Sequence, residues 1–287
     1  MSEFFTPERY AQEELKPTDA PVKHFTPVEG SSRDRFGNRV FESPKLGYLD
    51  RENDEVRAAL LVSEEGERFI KSNPGILKDI EEGLLKLEYA RDEGSNPVYF
   101  DSTDLPKGNH LSRYSQGNQS NVYLLEVKGE KYILKTHRVS APHYQDARQP
   151  YINEMLQTQE MAADLKEDFE KLNMRMPDFL FASGQVSLVR FEEGNIPEDS
   201  LLDTERFKQF AAIANRYLST KEDQDLWKKI WADDLDEVLV HETKKSNFVE
   251  TEDGSLVWID PFFYEENDPL EKFLKMLNPP KQSSNDR

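Results

Sequence analysis

Four side chains toward the C-terminal end are of types that handle phosphate and metal: an acid (Glu242), a lysine (Lys244), an amide (Asn247) and a second acid (Asp260). They lie within residues 239–263, LVHETKKSNFVETEDGSLVWIDPFF. The runs FVET and LVWID read as short strands around the turn EDG, with Asp253-Gly254 as the hairpin signal. A hairpin brings its far end back to its start, so Asn247 and Asp260 are expected side by side. Two oxygen ligands held that way suit Mg²⁺, which takes few protein ligands and shares the rest with substrate phosphates.

Composition narrows the classes of function. The chain has 287 residues, enough for one large domain or two modest ones. Its 56 acidic residues outweigh 37 basic ones, a formal charge of -19. Nucleic acid and anionic membrane are therefore not expected as partners, since both attract a net basic surface. A hydrophobic fraction of 36% and a mean hydropathy of -0.80 predict that part of the chain is poorly ordered. The absence of cysteine excludes disulfides, thiolate catalysis and Cys-ligated zinc. No apolar run approaches the ~18 residues of a membrane span, and the start MSEFFTPERY lacks a signal-peptide core. A soluble, cytoplasmic protein is expected. His24, His110, His137, His143 and His241 show no metal-ligand spacing. The acidic run EEGNIPED lacks the alternating ligands of a calcium loop.

The elements that must position these side chains follow from periodicity. Residues 1–50, with Pro7, Pro17, Pro21, Pro27 and Pro44, read as a flexible arm. Helices are expected over 52–72 (Val56, Leu60, Leu61, Phe69) and 74–92 (Ile76, Ile80, Leu84, Leu87, Tyr89), broken at Asn73-Pro74. Together they predict a helical hairpin extension over 51–105, ending in the linker 101–109. From His110 the pattern switches to period two. Residues 111–138 read as three strands, with Tyr123, Leu125 and Val127 alternating and a turn at Lys128-Gly129-Glu130. A helix over 150–172 buries Ile152, Met155, Leu156, Leu165 and Phe169, and strands follow at 179–184 and 186–191. Helices at 204–219 and 222–237 lead into the opening stretch. Trp227 and Trp231 of the second read as core. A short helix at 268–277 precedes a disordered tail at 281–287.

This order of strands, helix, two strands, helices and acidic hairpin resembles the protein-kinase-like superfamily. Ser115, Gly117 and Ser120 occupy the three glycine slots of a G-x-G-x-x-G-x-V loop, and Val122 its valine slot. YILK ends on Lys135 and is similar to the V-A-I-K strand; Glu154, in the next helix, matches the acid that pairs with that lysine. Counting back five from Asn247 reaches Glu242, where H-R-D-L-x-x-x-N has its aspartate, and Lys244 matches the lysine two residues on. Asp260, in Asp260-Pro261-Phe262, matches the metal-binding acid of D-F-G.

The resemblance implies an α+β, two-lobed kinase-like fold over 106–280. Its parts would be a small antiparallel-sheet N-lobe (106–193), a reduced helical C-lobe (194–280) and the N-terminal helical extension. It implies ATP and Mg²⁺ as cofactors, with adenine against the backbone of 190–193, Lys135 on the phosphates, and Asn247 with Asp260 on the metal. Glu242 would orient the acceptor hydroxyl, on a protein or a small molecule, with Lys244 steadying the transferred phosphoryl. Three departures stand out. Glu242 is one methylene longer than aspartate; Pro261 fixes a backbone torsion where D-F-G flips; and no A-P-E follows Asp260. The pattern is thus closest to compact bacterial, phage-type or aminoglycoside-phosphotransferase-like members. The alternative expectation is a pseudokinase, a nucleotide-binding or interaction module without turnover. A third is an unrelated α+β protein in which Asn247 and Asp260 cap a hairpin.

Overall fold

The structure, a computed structural model, describes residues 33–42, 59–89, 101–116, 120–137, 151–184, 186–198, 204–219 and 247–259. It is α+β with a large antiparallel sheet. In chain order the strands are β1 (Arg39–Glu42), β2 (Ala59–Val62), β3 (Ser102–Asp104), β4 (His110–Gln116), β5 (Ser120–Val127), β6 (Glu130–His137), β7 (Met174–Arg175), β8 (Phe179–Ala182), β9 (Val186–Arg190), β10 (Gly194–Asn195), β11 (Phe248–Thr251) and β12 (Leu256–Trp258). The helices are α1 (Glu64–Ser72), α2 (Ile76–Tyr89), α3 (Tyr151–Asp164), α4 (Lys166–Lys171) and α5 (Glu205–Ser219). Eight strands pair in the order β1-β2-β8-β9-β6-β5-β4-β3, and a smaller sheet has the order β10-β11-β12-β7.

The central strands form where period two predicts them. β5 and β6 are joined by Lys128-Gly129, both at positive φ (54° and 86°), the geometry that matches strand twist in a two-residue hairpin. Along β5, Tyr123, Leu125 and Val127 are buried while Val122 and Leu124 are half-buried, so the two faces of the sheet have different covers. On one face α1 and α2 pack over Tyr123, Leu125, Tyr132, Leu134 and Leu188. On the other, α3 seats Ile152, Met155 and Leu156 against Phe179, Ala182 and Val189.

Three expectations need correction. Residues 52–72 do not form one helix: 59–62 is the strand β2, and α1 starts only after Ser63, whose hydroxyl accepts the Gly66 N–H at 3.0 Å as an N-cap. The run Leu60-Leu61-Val62 is fully buried because its side chains alternate between two covered faces, Leu60 and Val62 under α1 and α2, Leu61 under α3. A strand covered on both sides shows an unbroken apolar run that mimics a helix segment. Residues 33–42, expected within a flexible arm, instead form a turn and the strand β1, since Val40 and Phe41 divide between the same two cores. Finally, 102–104 is not linker; it pairs with β4 as β3 at the sheet edge. The helix at 150–172 is interrupted at Leu165, giving α3 and α4, and 76–89 and 205–219 are helical as expected.

A second core gathers α4, α5 and the β11–β12 hairpin. Phe210 sits at its centre, edge-to-face with Phe248 (5.5 Å) and Trp258 (4.9 Å), all three fully buried. Arg206 of α5 clips the hairpin turn to the end of α4, donating to the carbonyls of Leu172 (2.6 Å), Gly254 (3.2 Å) and Asn173. Burial lowers the pKa of this guanidinium. The expected helices at 222–237 and 268–277 and the tail at 281–287 lie outside the described residues. No helix among those described is long and apolar enough to cross a membrane.

Candidate functional site

The site is built on one row of the large sheet. Strand register places Ser115 opposite Val122, Val122 opposite Lys135, and Lys135 opposite Ser187. Directly opposed residues share a face with Cβ atoms about 5 Å apart, so four strands deliver these side chains as a transverse line. The next row, Leu124, Ile133 and Val189, is apolar. Val122, Leu124 and Ile133 are only half-buried, which leaves an apolar floor beside the lysine that α3 does not fully cover.

α3 crosses this face and brings Glu154 to Lys135. The Lys135 Nζ donates to Glu154 Oε1 at 3.0 Å, and the two side chains retain 13% and 12% of their exposure. This is a nearly desolvated ion pair joining a strand to a helix across 19 positions. The first turn of α3 also reaches the strand that follows the β4–β5 loop: the hydroxyls of Tyr151 and of Ser120, the first residue of β5, are hydrogen-bonded at 2.7 Å. Ser120 thus has a partner that no glycine could offer. The bulge between Arg113 and Ser115 re-aims β4 where that loop begins. Gly117 itself lies outside the described residues.

Beyond β9 the chain continues through Phe191 outside the strand. The Arg190 N–H donates to Asp178 O (2.9 Å) and the Phe191 N–H to Lys131 O (3.2 Å), so two amides in the expected adenine segment are already engaged. The rest of the segment is framed by charge. Glu192 accepts both arms of Arg175, one at 2.7 Å, and so raises the guanidinium pKa; Glu193 lies 3.5 Å from Lys131. Burial raises the carboxyl of Asp178 beside them. Tyr114, more than half exposed, meets Phe191 edge-to-face at 6.0 Å.

The hairpin forms around the expected turn, as β11 and β12. Phe248 lies opposite Trp258 and the Ile259 N–H donates to Asn247 O at 2.9 Å. Gly254 takes positive φ (77°) in the turn, and Asp253 accepts from Thr251 Oγ1 (2.6 Å) and the Ser255 N–H (2.9 Å). Asn247 therefore stands opposite the residue that precedes Asp260. Asp260, Glu242 and Lys244 lie outside the described residues, so of the expected metal pair only Asn247 is placed. Sequence reasoning missed Ser187, fully buried beside Lys135; once Lys135 is assigned to a face, its cross-strand neighbour on β9 follows from pairing alone. It also missed Tyr151. Comparison of the sequence with models of known families finds no match, and a search of curated proteins finds none either.

Proposed function

We propose that this chain is an ATP- and Mg²⁺-dependent phosphotransferase of the protein-kinase-like kind, acting on a protein or small-molecule hydroxyl. The observation that carries the proposal is the Lys135–Glu154 pair, at 3.0 Å, beside a half-open apolar sheet face. Stability alone is a weak reason for such a pair. Desolvating two charges costs several kcal/mol per ion, and apolar residues of similar volume often do as well. A lysine held by a carboxylate at the edge of a partly open face is, by contrast, arranged to meet an anionic ligand. Val122, Leu124 and Ile133 offer the flat apolar contact that an adenine ring needs.

The order of parts agrees with this reading. The lysine strand β6 lies inside the sheet between β5 and β9, and the glutamate helix is the next of the described elements in chain order. Among the described elements the hairpin carrying Asn247 comes last. In the kinase-like arrangement Lys135 would hold phosphate oxygens, Glu154 would orient Lys135, and Asn247 with Asp260 would hold the metal. ATP supplies the phosphoryl group when bound; the protein's part is positioning and charge neutralisation. Glu242 would orient the acceptor hydroxyl and Lys244 steady the transferred group. The pseudokinase reading keeps the same pocket without turnover, and the Ser120–Tyr151 bond favours it, because a hydrogen-bonded serine stands where the kinase-like pattern has its third glycine.

One experiment separates these readings. The full-length protein is incubated with Mg²⁺ and ATP labelled in its terminal phosphate, and both transfer to protein and phosphate release are followed. Turnover lost in Lys135→Met and in Asp260→Ala is the expected result. A Mg²⁺·ATP thermal shift without turnover would leave the pseudokinase. No shift with any nucleotide would overturn the nucleotide site altogether.

A further inference from the structure

Residues 33–42 lie far from the site in sequence, yet they form much of the seat of α3. Asp34 closes an Asx turn: its Oδ1 accepts the N–H groups of Phe36 (2.9 Å) and Asn38 (2.8 Å), and its Oδ2 accepts Asn38 Nδ2 (2.8 Å). The turn presents the fully buried Asn38 amide to α3, where it makes a reciprocal pair with Gln159. Asn38 Nδ2 donates to Gln159 Oε1 at 2.6 Å, and Gln159 Nε2 donates back to Asn38 Oδ1 at 3.1 Å. Arg35 pairs with Glu160 at 2.7 Å. Val40 then enters the cluster of Ile152, Met155 and Leu156 under the same helix. On the other side of the sheet Arg33 reaches the buried Glu67 of α1 at 2.7 Å. One ten-residue segment thus ties α3 to the helical layer on the opposite face.

Gln159 lies five residues beyond Glu154, about 7.5 Å along the axis and roughly 140° around it. The brace therefore grips a flank of α3 that the Lys135 contact does not. This matters because a helix is easier to roll than to translate. With side-chain ends about 5.5 Å from the axis, a roll of about 10° moves the Glu154 carboxylate by about 1 Å. A displacement of that size is enough to break the 3.0 Å contact with Lys135. The apolar contacts of Ile152, Met155 and Leu156 are non-directional and resist such a roll poorly, whereas two reciprocal amide bonds and an ion pair are directional.

We infer that Asn38, with Gln159, is a positioning residue for the phosphate site: the N-terminal segment holds α3 in the roll that keeps Glu154 on Lys135. The inference rests on the reading of Lys135 as a phosphate ligand, and one set of measurements tells the two apart. Mg²⁺·ATP affinity is measured by calorimetry on full-length wild type, Asn38→Ala, Glu154→Gln, their double variant and Lys135→Met. Asn38→Ala is expected to raise Kd about five-fold, as for a site whose aligned state falls to about a fifth of the population. In the Glu154→Gln background it should add nothing, because the acid it positions is gone. Exchanging the pair, Asn38→Gln with Gln159→Asn, keeps both amides and their summed length and should restore affinity. An equal rise in both backgrounds would overturn the inference, leaving Asn38 a structural residue only. An Asn38→Ala affinity equal to wild type, with binding lost in Lys135→Met, would overturn it and leave the phosphate site standing. Wild type that binds no Mg²⁺·ATP would overturn both. If Asn38→Ala fails to fold by circular dichroism, Arg35→Ala removes the exposed ion pair on the same flank and is read by the same criteria.

Discussion

Lys135→Met tests both the geometry and the proposed role of the pair. The two side chains are nearly desolvated, so removing the ammonium takes from the Glu154 carboxylate its 3.0 Å cationic partner at 12% exposure. Breaking a buried pair by losing one partner costs about 3–5 kcal/mol. The residual exposure places this case near the lower end, about 3 kcal/mol. For a domain of this order that lowers Tm by about 6–12 °C. Lys135→Met with Glu154→Leu removes both charges and puts apolar volume in their place, and should recover most of the loss. Urea denaturation of wild type, both single variants and the double variant gives the coupling directly. Additivity within about 0.5 kcal/mol would mean that the two side chains are not paired, and would refute the reasoning. The ligand supplies the second half of the test. Saturation at about 100 times Kd stabilises a folded protein by about 2.7 kcal/mol. The stable double variant should lose that gain, since neither the phosphate-binding cation nor its partner remains. A double variant that regains stability and still shifts with Mg²⁺·ATP would show that Lys135 is no phosphate ligand.

Two further outcomes follow from local geometry. Gly66 of α1 lies against β8 so closely that a Cβ would overlap the Leu180 carbonyl, and backbone cannot yield as a side chain can. Gly66→Ala should therefore cost about 3 kcal/mol, the upper end for overpacking, and a urea midpoint equal to wild type would show that α1 does not sit there. In the hairpin turn the Thr251 hydroxyl, then the Ser255 N–H, hold the Asp253 carboxyl at about 2, below its ordinary 3.8. A lowered carboxyl pKa means that its contribution is complete above about 3.8 and is lost as the pH falls through 2. A carbon-13 titration of the Asp253 carboxyl should give a midpoint near 2, and Asp253→Asn should show a flatter acid-side decline in stability; a midpoint near 3.8 would mean the turn is not formed.

What could be read from sequence was what repeats along a strand or helix. β4, β5 and β6 announce themselves by alternation and by the Lys128-Gly129 turn, and α3 by Ile152, Met155 and Leu156 on one side. The misreading of 59–62 has a physical cause: Leu60, Leu61 and Val62 are all buried because the sheet is covered twice, and the second cover comes from a helix some ninety positions later. No window around Leu61 contains Met155. The same holds for β1, whose Val40 and Phe41 look like stray apolar residues in a proline-rich arm until both cores are in place.

The site divides along the same line. Lys135 and Glu154 were legible as partners because each stands at a defined point of a periodic element, one just after the apolar run Tyr132-Ile133-Leu134 of β6 and the other inward on a helix. Ser120–Tyr151 and Asn38–Gln159 were not, because their polar side chains follow no period and meet only when the sheet and α3 are assembled. Yet these contacts bear most directly on Glu154. An ion pair held only by its own attraction would reorganise as α3 rolled; here the first residue of α3, Tyr151, is tied to the start of β5 and its middle, at Gln159, to Asn38 in the turn before β1. Glu154 lies between those two ties, so a roll of α3 that carries its carboxylate away from Lys135 must strain them. The N-terminal segment is therefore better regarded as part of the site's framework than as an arm attached to it, and its polar contacts fix the geometry that the apolar core leaves free.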